Sequence, residues 1–90
     1  MLYAYATLSD ETEVAHSENK LGNGEFLVTV RFERPDEKYT FKVLEVELPT
    51  YKILKVHGYT KDEVKSLLGY TRNNCSLILE YSQKGGIANA

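Results

Sequence analysis

The chain has 90 residues, of which 42% are hydrophobic and 27% are charged, and its formal net charge at pH 7 is −2. This composition indicates one small globular domain, and it excludes a disordered polyelectrolyte and a strongly basic nucleic-acid-binding protein. A single cysteine excludes an internal disulfide. The first residues do not have the pattern of a signal peptide, and no apolar run approaches the roughly 20 residues of a membrane helix, so we expect a cytoplasmic protein without a membrane anchor.

The first third of the chain has the alternating pattern of β-strands. Residues 2–8 alternate between an aliphatic and a tyrosine-rich face, and residues 12–17 are able to return as a shorter strand. Two glycines and two asparagines break this pattern within residues 18–25. The strongest strand is predicted over residues 25–34, where four large apolar side chains share one face: Phe26, Val28, Val30 and Phe32.

Pro35 is predicted to lie at the tip of a hairpin, because proline lacks the N–H that a central strand requires. Residues 39–48 are the predicted return strand, and their apolar side chains change face midway. Phe41 and Val43 share one face, whereas Leu44, Val46 and Leu48 share the other. This change predicts a bulge near Val43–Leu44, and the alternative is that both faces of the sheet are covered at that end.

Residues 50–58 are predicted to form a shorter strand at an edge of the sheet. Ile53, Leu54 and Val56 are its apolar residues. Lys52 and Lys55 would discourage pairing with the edge of another sheet.

One helix is predicted over about residues 61–84. Thr60 and Glu63 have the spacing of a capping box, and Gly85 and Gly86 fit a glycine C-cap. At 100° per residue, one continuous apolar face runs through the polar segment in the middle of the helix. Its members are Val64, Leu67, Leu68, Thr71, Cys75, Ile78 and Leu79.

These elements predict a single α+β domain over residues 1–90. It consists of an antiparallel sheet of four to five strands within residues 2–57, mostly a meander, and one long C-terminal helix packed on one face. Residues 85–90 form a short tail. The face with Phe26, Val28, Val30, Phe32 and Phe41 is expected to meet the apolar face of the helix.

A second stripe of side chains lies beside the main apolar face of the predicted helix: Tyr70, Asn74, Leu77 and Tyr81. This helix stripe makes the apolar sector wider than one sheet face normally covers. It either covers the rim of the core or contacts a second molecule, since tyrosines are common at interfaces. Our first hypothesis is therefore a small interaction module that forms a homo-oligomer, such as a dimer, or binds another protein.

Four basic residues lie on or near the predicted hairpin: Arg31, Arg34, Lys38 and Lys42. Together with Tyr39, they are able to contact single-stranded nucleic acid through phosphates and base stacking. Several glutamates interleave with them, however, which favours a solvated face of mixed charge. A nucleic-acid-associated regulator is the alternative function.

The residues that most often perform catalysis are isolated in this sequence. His16 and His57 have no metal-ligand spacing around them, and the glycines do not form a phosphate-binding loop. Cys75 falls on the predicted buried face, as a small core residue would, and a nucleophile there lacks an activating partner. We therefore predict no catalytic, metal or cofactor site and a protein that is not an enzyme.

Four segments resemble a group of small uncharacterised bacterial proteins found on phage and conjugative elements: VRFERPDEKYTF, ELPTY, GYTKDEV and RNNCSLILEYSQKGG. This resemblance implies an accessory protein of a mobile element and specifies no chemistry. The order of hairpin, Leu48-Pro49 and capped helix is also similar in layout to HicB-type antitoxins. That second resemblance implies an antitoxin-like protein that binds a partner.

Overall fold

The computed structural model describes residues 2–22, 25–37 and 40–84. Lys38, Tyr39 and the glycine pair at 85–86 lie outside the described residues, as does the predicted tail at 85–90. The side chain of Phe26 lies outside them too. The predictions for these positions are therefore not tested.

The described chain runs through six strands and then one helix. They are β1 (Leu2–Thr7), β2 (Glu13–Ser17), β3 (Lys20–Gly22), β4 (Glu25–Pro35), β5 (Phe41–Leu48), β6 (Lys52–His57) and α1 (Lys61–Lys84). The main path of the sheet is β1-β2-β4-β5-β6, with every neighbouring pair antiparallel. The predicted α+β meander with one long C-terminal helix is confirmed. β3 pairs with the start of β4, off this path, in the segment where the sequence predicts only a break.

The core lies between α1 and one face of β4 and β5. Val28, Val30 and Phe32 in β4 are fully buried, and so are the β5 residues opposite them, Leu48, Val46 and Leu44. From the other side, α1 packs against β2 and β4 and contributes Leu67 and Ile78. Complete burial of each large aliphatic or phenylalanine side chain stabilises the fold by roughly 1.5–3 kcal/mol, so this seam determines how the helix is oriented.

The helix begins and continues as the sequence predicts. The Thr60 N–H donates to Glu63 Oε1 at 2.9 Å, and the Glu63 N–H donates to Thr60 Oγ1 at 3.2 Å, which is the reciprocal geometry of a capping box. No break interrupts the polar segment at residues 71–75. Thr71 is fully buried there, and its hydroxyl is satisfied because it donates to the carbonyl of Leu67 at 2.8 Å.

Two predictions for strand β5 are wrong. The β4–β5 ladder is regular through Val43 and Leu44, so the strand has no bulge there on that side. The irregularity lies further along, between Glu45 and Val46, in the pairing with β6. Because the alternation is regular, Phe41 lies on the face away from the helix and is 50% exposed, instead of joining the core. Val43 is buried on that outer face, so the alternative of cover on both faces holds at Val43 and not at Phe41.

The orientation of the helix is tested by a pair of adjacent leucine-sized residues. Ile78 is fully buried and Leu77 is 45% exposed. We expect Ile78→Ala to lower the free energy of unfolding by about 2–5 kcal/mol, because it removes buried methyl groups and leaves a cavity. Leu77→Ala should change it by no more than about 0.5 kcal/mol. Urea denaturation followed by circular dichroism measures both, and equal losses would show that the helix is rotated about its axis.

Candidate functional site

Strand β6 forms an exposed edge of the sheet. It pairs with β5 on one side, and no backbone hydrogen bond among the described residues reaches its other side. All six of its residues are exposed. Three of them are large and apolar: Ile53, Leu54 and Val56, with exposed fractions of 43%, 44% and 51%. Alternate N–H and C=O groups of an edge strand point away from the sheet, so β6 is able to receive another strand.

The helix covers the sheet only as far as β5. Leu44 and Val46 in β5 are fully buried, but their ladder partners in β6, Val56 and Ile53, are about half exposed. Leu54 is the extra residue at the bulge and has no partner in β5. The helix-facing side of the sheet therefore continues beyond the helix as a narrow apolar strip.

The outer face of β6 is basic. Lys52 and Lys55 lie opposite Glu47 and Glu45, which are the kind of cross-strand neighbours that stabilise a sheet. Both carboxylates are also engaged elsewhere: Glu45 accepts from Arg31 at 2.6 Å, and Glu47 accepts from the Thr50 hydroxyl at 2.7 Å. Neither lysine forms an ion pair with a described residue. β6 thus presents an apolar strip on one face and two exposed ammonium groups on the other.

The helix stripe is mostly engaged within the chain. Tyr70 packs edge-on against Phe32, with ring centroids 6.0 Å apart, and burial raises the pKa of Tyr70. The Tyr5 hydroxyl donates to Asn74 Oδ1 at 2.8 Å, and the Tyr5 ring lies 6.0 Å from that of Tyr81. Through these contacts, Tyr70, Asn74 and Tyr81 cover the rim of the core.

Leu77 is the member of the helix stripe that lies open to solvent. The sequence does not show how Tyr5 reaches the helix, because that depends on a bulge between Ala4 and Ala6 in the pairing of β1 with β2.

The predicted nucleic-acid contacts are not brought together on one face. Arg31 points away from the helix and pairs with Glu33 and Glu45. Arg34 and Lys42 lie on the helix side, where both contact Glu63, at 2.6 Å and 3.3 Å. Lys38 lies outside the described residues. Each described cation of this set is therefore matched by at least one carboxylate.

Glu63 is the centre of a charged cluster at the start of the helix. The Thr60 N–H holds the pKa of Glu63 at about 2, well below its usual value, with help from Arg34 and Lys42. Arg34 also binds Asp10 at 2.9 Å and lies over the ring of Tyr59, 5.6 Å from its centroid. A cleft of about 230 Å³ opens beside these side chains. Its two cations and two carboxylates balance, so the cluster joins the first loop, the hairpin and the helix without a net charge.

The two histidines and the cysteine lie on three different elements, β2, β6 and α1. His16 is fully buried, with Nδ1 2.8 Å from the carbonyl oxygen of Ser17. His57 is exposed at the end of β6. Cys75 is half-buried and packs against the core, next to Tyr51. In the described ranges, His, Cys, Asp and Glu side chains do not gather in a group of three that would hold a metal ion.

Comparison with known proteins adds no further assignment, because no family model, no curated protein and no solved structure matches this chain. Among the described residues, the one helix is not apolar enough to cross a membrane.

The charged cluster predicts acid-sensitive stability. The folded state lowers the pKa of Glu63 from 4.5 to about 2, so its contribution is present above pH 4.5 and is lost as the pH falls towards 2. Glu63→Ala should lower the free energy of unfolding at pH 7 by about 1 kcal/mol, with a smaller deficit at pH 2.5. Denaturation at both pH values measures this change.

Asn73→Ala is the control, because Asn73 is exposed on the same helix and has no titratable group. It should change the free energy of unfolding equally at both pH values. A deficit for Glu63→Ala that stays the same at pH 7 and pH 2.5 would contradict the lowered pKa.

Proposed function

We propose that the protein is a small non-enzymatic interaction module that binds an extended segment of another polypeptide along the edge of β6. The observation that carries this proposal is the exposure of the whole strand, with three large apolar side chains next to unpaired backbone groups. Addition of a strand would satisfy those backbone groups and cover the apolar strip. Strand addition to a free sheet edge is an established mode of peptide recognition.

The opposite edge of the sheet is less suited to this role. In β1, Tyr5 and Ala6 pack against the core, and Tyr3 lies against His16. Leu2 is the one large apolar side chain of that strand that is strongly exposed. β6 therefore offers the larger apolar surface for a partner.

Self-association through the helix stripe stays a prediction. Tyr70, Asn74 and Tyr81 have partners within the chain, so Leu77 would supply most of any new contact. A dimer in sedimentation that Leu77→Glu converts to a monomer would place an interface on the helix. The role of a mobile-element accessory protein, or of an antitoxin-like partner, also stays a prediction, and both are roles that an interaction module is able to perform.

Direct nucleic-acid binding has less support from the geometry. Phosphate contacts require cations that are free to leave their present partners, but Arg31, Arg34 and Lys42 are each held by carboxylates. Binding of a nucleic acid that falls steeply with added salt would favour this alternative over strand addition.

The proposal is tested by selecting random ten-residue segments from a display library on the immobilised protein. We expect the selected segments to bind the wild type and to slow hydrogen exchange of the β6 amides. They should bind a Leu54→Pro variant at least about tenfold more weakly, because proline removes an N–H and its ring obstructs the edge. We expect this variant to keep the β5–β6 pairs, because Leu54 has no partner in β5.

Leu77→Pro is unsuitable as a control because it would break the helix, so Leu77→Ala serves as the matched surface change. It should leave binding unchanged. Selected segments that bind Leu54→Pro as tightly as the wild type, or that protect the helix instead of β6, would overturn the proposed function.

A further inference from the structure

We infer that the segment bound at β6 is a strand in which apolar residues alternate with acidic residues. This inference rests on the proposed function and adds the chemistry of the partner. Successive side chains of a strand point to opposite faces of the sheet, so the two faces of β6 select two different kinds of residue. The helix-facing side selects apolar side chains, and the outer side selects carboxylates.

The helix-facing side of β6 determines one half of the pattern. Ile53 and Val56 lie on this side, each about half exposed, next to a fully buried residue of β5. Apolar side chains from an added strand would lie directly beside them and extend the apolar layer by one strand. A polar or charged residue at those positions would lose hydration without gaining a partner.

The outer side of β6 determines the other half. Lys52 and Lys55 are exposed and without an ion-pair partner among the described residues, and His57 follows on the same side. Opposite charges on neighbouring strands stabilise a pair, and like charges destabilise it. Carboxylates at the outward positions of the added strand would therefore bind, and basic residues would be rejected.

Strand β5 already shows that this pattern fits β6. On the opposite side of β6, the sequence Leu44-Glu45-Val46-Glu47 places leucine and valine against Val56 and Ile53, and glutamates against Lys55 and Lys52. The inferred partner is a chemical counterpart of β5 on the free side of β6. In each copy of the chain β5 lies between β4 and β6, so β5 of a second copy is not free to be this segment.

A second copy of β6 fits this edge poorly. Pairing two copies would place the lysines of both on one outer face without adding a carboxylate to neutralise them. Lysine on an edge strand is a common protection against this kind of association. The same lysines that reject another copy select an acidic strand.

The inference is tested with three nine-residue peptides on the intact protein. In the first, leucine or valine alternates with glutamate. In the second, lysine replaces each glutamate. The third has the composition of the first, with its glutamates grouped at one end. We expect the first peptide to bind roughly tenfold more tightly than either of the others, measured by fluorescence anisotropy.

Charge-exchanged variants test which residues of the protein select the peptide. Lys52→Glu/Lys55→Glu should reverse the preference, so that the lysine peptide binds more tightly than the glutamate peptide. Lys61→Glu/Lys65→Glu makes the same change in net charge on exposed helix positions and should leave the preference as in the wild type. If the first double variant fails to fold by circular dichroism, Lys52→Gln/Lys55→Gln should abolish the preference.

Several outcomes would overturn the inference. Equal binding of the glutamate and lysine peptides, with both weakened by Leu54→Pro, would remove the acidic preference and leave strand addition at β6 standing. If Lys61→Glu/Lys65→Glu also reversed the preference, the net charge of the protein alone would determine which peptide binds. A wild-type dimer that Leu54→Pro dissociates would identify a second copy as the occupant. If library-selected segments also avoided β6, the proposed function would fall with the inference.

Discussion

The fold depends on a mismatch in width between the sheet and its single helix. Five strands at a spacing of about 4.8 Å span about 19 Å, whereas a helix with its side chains is about 10–12 Å wide. The helix therefore covers two or three strands fully, and it packs on β2 and β4. The core is the region below it, where Val30, Phe32 and Leu44 are fully buried. The outer strands must be covered by other means or remain exposed.

The chain covers the outer strand on one side of the sheet, β1, and leaves the outer strand on the other side, β6, exposed. Towards β1, large side chains extend the reach of the helix, since Tyr81 contacts Tyr5 and Asn74 accepts a hydrogen bond from the Tyr5 hydroxyl. Towards β6, the turn after β5 contributes Tyr51, beneath Arg72 and next to Cys75, and the cover ends there. The tyrosines of the helix stripe thus explain why the edge at β6, rather than the one at β1, is the more exposed.

Most of the fold follows from local patterns, and the site does not. Alternation predicts the strands, and the capping box and apolar periodicity predict the helix, because these signals arise between residues close in sequence. The predicted face of Phe41 is wrong because the change in the apolar pattern has two explanations. It indicates either a bulge or a sheet that is covered on both faces. Exposure of Ile53 and Val56 depends on where the helix lies across the sheet, which no local pattern encodes. The sequence does predict β6 as an edge strand from Lys52 and Lys55, and it is the structure that relates those lysines to an uncovered apolar strip.

Stability and partner binding would depend mainly on different parts of the protein, the core and the edge strand β6. Every β6 side chain is exposed, so the residues proposed to contact a partner lie outside the buried core. Substitutions at Leu54 or Lys55 are then able to change the choice of partner at little cost in stability. The link between the two regions is the β5 ladder: Val46 and Leu44 belong to the core and also hold Ile53 and Val56 in register. A bound strand would be positioned through that ladder, so the proposed selection of alternating apolar and acidic residues would require an intact core.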